Sequence, residues 1–221
     1  MKIFGFAAAV WLMGAALAGA QELARTPLVR GDAHVLVGWQ NLRKEQPSQL
    51  NYSNDWLNNI FHGAAGVGWY WTEHLKTQVD FGGGTKAEQY RYSYTTISAQ
   101  STTTSSRLSV QQQSVAVGQH YQFFRNQWFH PHVGAGIDIA RETTRETYQP
   151  IVVYDNTTRT STQIAPARTE GPEHRTIARP FAEAGFKAYM TRRAFFTGDT
   201  RVKFRSGMEE VLFRFGFGVD F

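Results

Sequence analysis

The last fourteen residues, MEEVLFRFGFGVDF, alternate with a period of two. Val211, Phe213, Phe215, Phe217, Val219 and Phe221 are apolar, while beyond Leu212 the residues between them, Arg214, Gly216, Gly218 and Asp220, are polar or small. Successive side chains of a strand point to opposite sides, so this is a β-strand with one apolar face. A row of aromatic and β-branched side chains turned to water would invite aggregation, whereas a strand facing lipid needs such a band. The segment asks for a membrane crossed by strands.

The other end of the chain says which membrane. Met1-Lys2, an apolar run over residues 3–17 and Ala18-Gly19-Ala20 before Gln21 describe a secretory signal peptide over residues 1–20, removed on export. The apolar run is too short to cross a bilayer as a helix, and nothing downstream reaches the ~20 consecutive apolar residues that a crossing helix needs. The remainder is of one-domain size, divided as an N-terminal periplasmic segment over residues 21–33 and a barrel over 34–221. The chain has no cysteine, hence neither a disulfide framework nor the lipidated Cys of a lipoprotein anchor. Its net charge of +5, one less once Lys2 leaves, is scattered and points to no nucleic-acid partner. Mean hydropathy is below zero, as expected when only alternate residues meet lipid and the others line a polar interior.

The same alternation recurs upstream. Residues 34–40 put Val35, Val37 and Trp39 outward; residues 61–72 put Phe61, Val67, Trp69 and Trp71 outward against His62 and Tyr70. After a short turn at Glu73-His74, residues 75–84 set Leu75, Val79 and Phe81 against Lys76, Gln78 and Asp80. A fourth strand runs through Val115, Val117, Gln119, Tyr121 and Phe123, and returns near Asn126 into a fifth with Phe129, Val133, Ala135, Ile137 and Ile139 outward. Pro131 weakens that fifth strand locally, since proline cannot donate to a ladder. A sixth alternates Pro180, Ala182, Ala184, Phe186 and Ala188 with Arg179, Glu183 and Lys187, a seventh alternates Phe196, Val202 and Phe204 with Asp199, Arg201 and Lys203, and the C-terminal segment is the eighth.

The connections near Glu73, Asn126 and Arg192 are short, while residues 42–59, 96–106 and 142–175 form long polar stretches read as extracellular loops. Ser206-Gly207 is a tight hairpin on the long-loop side. Tyr90, Tyr92 and Tyr94 alternate beyond the apolar band, so strands three and four protrude above the membrane. The expected fold is all-β, a transmembrane antiparallel up-and-down barrel of eight strands. Ten strands stay open, because residues 142–175 could hold two more.

In these respects the chain resembles the small outer-membrane β-barrel family, the type of the OmpA transmembrane domain, OmpX and OmpW. The resemblance rests on the signal peptide, the alternating hairpins and the closing Phe213-x-Phe215-x-Phe217-x-Val219-x-Phe221. It implies residence in the cell outer membrane, contact with outer-membrane lipid and lipopolysaccharide, and a terminal signal, Phe217, Val219 and Phe221, read by the barrel-assembly machinery. A monomer is expected and, unlike the full-length OmpA architecture, no peptidoglycan-binding domain is expected after the barrel.

Hairpin pairing makes the polar face a predicted interior. With Ser206-Gly207 as a two-residue turn, Arg205 faces Met208, Lys203 faces Glu210 and Asp199 faces Arg214. A turn centred on Arg192 sets Glu183 across from Arg201. Glu183, Asp199, Arg201, Lys203, Glu210 and Arg214 thus form an ion-pair ladder, expected to plug the barrel, because an eight-stranded interior is just wide enough for side chains to fill. A narrow porin-like channel is the alternative. If the Asn126 turn is symmetric, His120 sits opposite His132 with His130 nearer the periplasm, a cluster able to bind zinc or to hydrogen-bond within the lumen. No metal or other cofactor is assigned.

Some members of the resembled family modify lipid A, which would require a Ser–His–acid set on the lipid face. No such arrangement stands out, and a non-enzymatic role is expected. Long loops bearing Tyr90, Tyr92, Tyr94, Tyr148 and Tyr154 suit an extracellular ligand.

Overall fold

Alternation becomes strand along nearly the whole chain. The computed structural model describes residues 30–43, 56–97, 100–123 and 128–221. The expected signal peptide, residues 21–29 of the 21–33 segment, and the turn at residues 124–127 lie outside the described residues. Eleven strands follow one another: β1 Gly31–Arg43, β2 Trp56–Tyr70, β3 Leu75–Gly84, β4 Ala87–Ile97, β5 Gln100–Gln122, β6 Phe129–Tyr148, β7 Ile151–Asp155, β8 Thr160–Ala165, β9 Arg168–Tyr189, β10 Ala194–Phe204 and β11 Met208–Asp220.

Eight of them close a ring. The order is β1, β2, β3, β5, β6, β9, β10, β11 and back to β1, every pair antiparallel. Closure joins the first strand to the last, with Val35 opposite Phe217 and Trp39 opposite Phe213. Complete pairing leaves no strand edge for lipid to solvate, the condition for a sheet to cross a membrane. Val35, Val67, Phe81, Val117, Ile137 and Phe217 are exposed on the outer face, while the residues between them turn inward and are mostly buried.

Strand β1 begins at Gly31, ahead of the boundary at residue 34, so Asp32 belongs to the wall and is fully buried. The stretches 96–106 and 142–175, expected as loops, are mostly strand. β5 has 23 residues, about twice the 9–11 that cross a membrane, and its first half stands outside the apolar band. There β4 pairs with it from Ala87–Val110 to Ile97–Gln100, and β6 with β9 pairs as far as Tyr148–Arg168. Residues 142–175 do contribute two further strands, β7 and β8, yet the wall has eight. The β7–β8 hairpin hangs on the outer end of β5, with Gln100 opposite Asp155. Water replaces lipid around this extension, so β4, the outer part of β5 and β8 carry Thr, Ser, Gln and Tyr and give no sustained apolar period.

Two local irregularities matter. Between β3 and β4 the register against β5 slips by one residue, from Gly83–Gln113 to Ala87–Val110. The slip reverses which parity faces out, so Tyr90, Tyr92 and Tyr94 point outward and Arg91 inward, 3.5 Å from Glu146. At the last hairpin Phe204, not Arg205, faces Met208, because a bulge after Lys203 leaves three residues in the turn. Gly207 takes φ 150°, a conformation open to glycine. Arg205 is therefore exposed at the rim, 3.9 Å from Glu209, rather than inward.

Candidate functional site in the barrel lumen

The inward residues form a stack of ion pairs along the lumen. At the end where β1 begins and β11 ends, Lys187 Nζ donates to Asp220 Oδ1, to Asp32 Oδ2 (3.2 Å) and to the Tyr70 hydroxyl (3.0 Å), while lying 3.8 Å from the Phe195 ring centre. Lys76 reaches the same Asp32 oxygen at 3.1 Å. Above this lies His34, whose Nε2 is 3.0 Å from Asp80 Oδ1, an oxygen that also accepts from Gln78 (2.9 Å).

Two arginines occupy the middle. Arg214 donates to Asp199 (2.8 Å), Glu183 (3.0 Å) and Asp80 (3.1 Å). Arg201 donates to Glu183 Oε2 at 2.6 Å and to Asp80 Oδ2. Next outward, Lys203 lies 2.7 Å from Glu210 and 3.1 Å from Asp138, and Arg179 lies 3.0 Å from Glu210 and 3.3 Å from Asp138. Gln40, Gln112 and Glu142 continue the chain of hydrogen bonds at 3.0 and 2.8 Å. The outer end of the lumen is closed by a buried apolar cluster, Leu42, Leu57, Ile60, Ala87, Leu108 and Val110.

All six ladder residues are buried and brought together, with Lys203 opposite Glu210, Asp199 opposite Arg214 and Arg201 opposite Glu183. The ladder is only part of the network. Asp80 of β3 and Asp138 of β6 complete it from across the lumen, and Asp32, Lys76, Lys187 and Asp220 form a second group at the end where β1 begins. These residues are visible in the sequence as inward positions of alternating strands, but sequence spacing does not tell which inward residues meet across a barrel.

The histidines differ from the symmetric-turn expectation. His132 faces Gln122 and His120 faces Gly134, two residues out of the anticipated register. Gly134 leaves room for the His120 ring to lean over: a Cβ there would lie 2.1 Å from His120 Cδ2. The two imidazoles stack at 5.5 Å, and both Nε2 atoms lie 3.6 Å from Glu183 Oε1. His130 is elsewhere, half-buried against the Tyr189 ring at 5.2 Å. Among the described residues, those able to hold a metal are therefore His120, His132 and Glu183, whose donor atoms lie within 4.8 Å of one another.

Outside the band, Tyr90, Tyr92, Tyr94 and Tyr154 are exposed, and Arg107 lies over Tyr90 at 5.3 Å. In the β7–β8 turn the Asp155 carboxylate accepts the amides of Thr157 (2.7 Å) and Thr158 (3.2 Å), which hold it below the usual carboxylate range. Phe217 and Val219 of β11 and Phe221 just past its end are exposed, and Phe221 pairs its backbone with Gly31.

A closed antiparallel ring of eight strands, apolar outside and ion-paired inside, is the build of a membrane-spanning β-barrel. The family model described as the outer membrane protein beta-barrel domain matches residues 6–221, and the chain belongs to that family. It is an outer-membrane protein. Among solved structures it is similar to Neisserial surface protein A, at TM-score 0.51 and 11% identity over 89% of this chain and all of that one. It is also similar to the N-terminal β-barrel domain of OprF from Pseudomonas aeruginosa (TM-score 0.47, 11% identity, 86% of this chain and 97% of that) and to Ail of Yersinia pestis (0.47, 9%, 87% and 99%). At such identities the likeness is one of fold. No curated protein matches the chain in sequence.

Proposed function

We propose that the chain is a closed, non-catalytic barrel that anchors a surface-exposed β-structure in the outer membrane. The observation that carries this reading is the filled lumen. Ion pairs run from Lys187 to Arg179, and the apolar cluster from Leu42 to Val110 covers their outer end. The internal void beside His132 and Glu183 measures about 10 Å3, room for about one water. Charges so paired and desolvated favour a fixed interior over a hydrated path.

The interactive part is the extension. It presents Tyr90, Tyr92 and Tyr94 in a row on β4, rigid aromatic contact area of the kind that recognises an extracellular ligand. The N-terminal segment acts in export and is cleaved. Phe217, Val219 and Phe221 serve the assembly machinery, and the apolar belt seats a monomer among outer-membrane lipid and lipopolysaccharide.

Planar-bilayer recording with the purified, folded protein tests the closed lumen. The expected trace is flat, and large, steady single-channel steps would overturn it.

A further inference from the structure

We infer that the lumen contains a binding site for one divalent transition-metal ion of the zinc type, held by His120 Nε2, His132 Nε2 and Glu183 Oε1. The three side chains come from β5, β6 and β9, and all are buried. The two imidazole–carboxylate distances suit an ion better than a direct contact, and the three donor atoms lie within 4.8 Å of one another. Each Nε2 stands 3.6 Å from Glu183 Oε1, beyond the ~3.2 Å limit of a sound N–H···O bond. A four-coordinate ion with bonds of about 2.1 Å holds its donors about 3.4 Å apart.

The two oxygens of Glu183 are divided in the way such a site requires. Oε2 accepts both guanidiniums, Arg201 at 2.6 Å and Arg214 at 3.0 Å, while Oε1 faces the imidazoles. The arginines thus fix the carboxylate without occupying the oxygen that would bind metal, the usual role of outer partners around a ligand.

Two further observations point the same way. His120 is fully buried, yet neither of its ring nitrogens has a hydrogen-bond partner, and such a polar group is expensive unless something satisfies it. Among the described residues of the eight wall strands, the buried set holds eight carboxylates against six Lys and Arg side chains. This excess of carboxylates, offset in part when His34 between Asp32 and Asp80 is protonated, favours a bound cation. The 10 Å3 void lined by His132, Glu183 and Asp199 offers room for a water as fourth ligand.

The test uses the full barrel folded in detergent in the presence of ZnCl2 or CoCl2, freed of excess metal, and assayed for bound metal. Wild-type protein is expected to retain one equivalent and, with Co2+, to show the visible d–d bands of a four-coordinate site. His120→Ala and His132→Ala are each expected to weaken retention about a hundredfold or more, since losing outer partners alone weakens metal sites by about 10–100-fold. His130→Ala is expected to bind as the wild type does. Unboiled gel mobility verifies that each variant is folded, and the wild-type cobalt spectrum decides the matter should a variant fail. Absence of a stoichiometric, four-coordinate wild-type site, or equal retention by the folded His120→Ala and His132→Ala variants, would overturn the inference.

Discussion

Glu183 is the residue on which the middle of the lumen converges. It faces Arg201 across the β9–β10 ladder, reaches Arg214 one strand further, and lies beside both stacked imidazoles. Removing one member of a buried ionic group leaves the others charged and unpaired, which costs about 3–5 kcal/mol, whereas an exposed pair contributes about 0–1 kcal/mol. Glu183→Ala is therefore expected to lower unfolding stability by about 3–5 kcal/mol, measured by urea titration of the barrel in lipid vesicles. Arg205→Ala, at the exposed rim, is expected to change it by about 0.5 kcal/mol or less. Equal, small effects at the two positions would mean that water reaches Glu183. The contrast also shows what spacing alone leaves open. Arg205 and Lys203 have the same parity in the sequence, and the bulge after Lys203 leaves Arg205 exposed in the turn and Lys203 buried on the strand.

At the scale of elements, each strand answers to two environments, and the boundary between them can be located by substitution. Val117 stands in the apolar band, with Val79 opposite on one side and Ile137 on the other. Val117→Arg is expected to destabilise the inserted barrel by about 2–4 kcal/mol, the cost of a lipid-facing arginine near mid-membrane. Thr103→Arg, on the outer half of the same strand, is expected to be close to neutral. A vesicle-based unfolding assay that found the two alike would place Val117 outside the hydrocarbon. The eight wall strands were legible in the sequence because lipid on one side and charge on the other impose a period of two. Where water replaces lipid the apolar period vanishes, so residues 101–106 read as loop although they pair with β4 along their length and with β7 or β6 at either end. The pairing of Lys203 with Glu210 could be read from a short turn. That of His120 could not, since it depends on how many residues the connection from β5 to β6 takes. Asp80 was legible as an inward residue, but its contacts with Arg201 and Arg214 are set by barrel diameter.

For the whole molecule, the ion pairs link strands that are distant in sequence. Asp80 of β3 binds Arg201 and Arg214 of β10 and β11, and Asp32 of β1 binds Lys187 of β9. Loss of the closed barrel and loss of the buried charge network should therefore coincide. Urea midpoints from unboiled gel mobility, which reports closure, and from fluorescence of the five tryptophans that follow residue 20 are expected to agree, and a clear separation would reveal a stable half-formed state. There is a consequence for the order of folding. A sheet lacking its last strand would carry Asp80, Glu183 and Asp199 without Arg214 while its apolar face was already entering lipid. Strand-by-strand insertion would thus pass through progressively worse electrostatic intermediates. The sequence favours a chain whose strands gather at the membrane surface, where water still shields every charge, and cross together only when the two ends can meet.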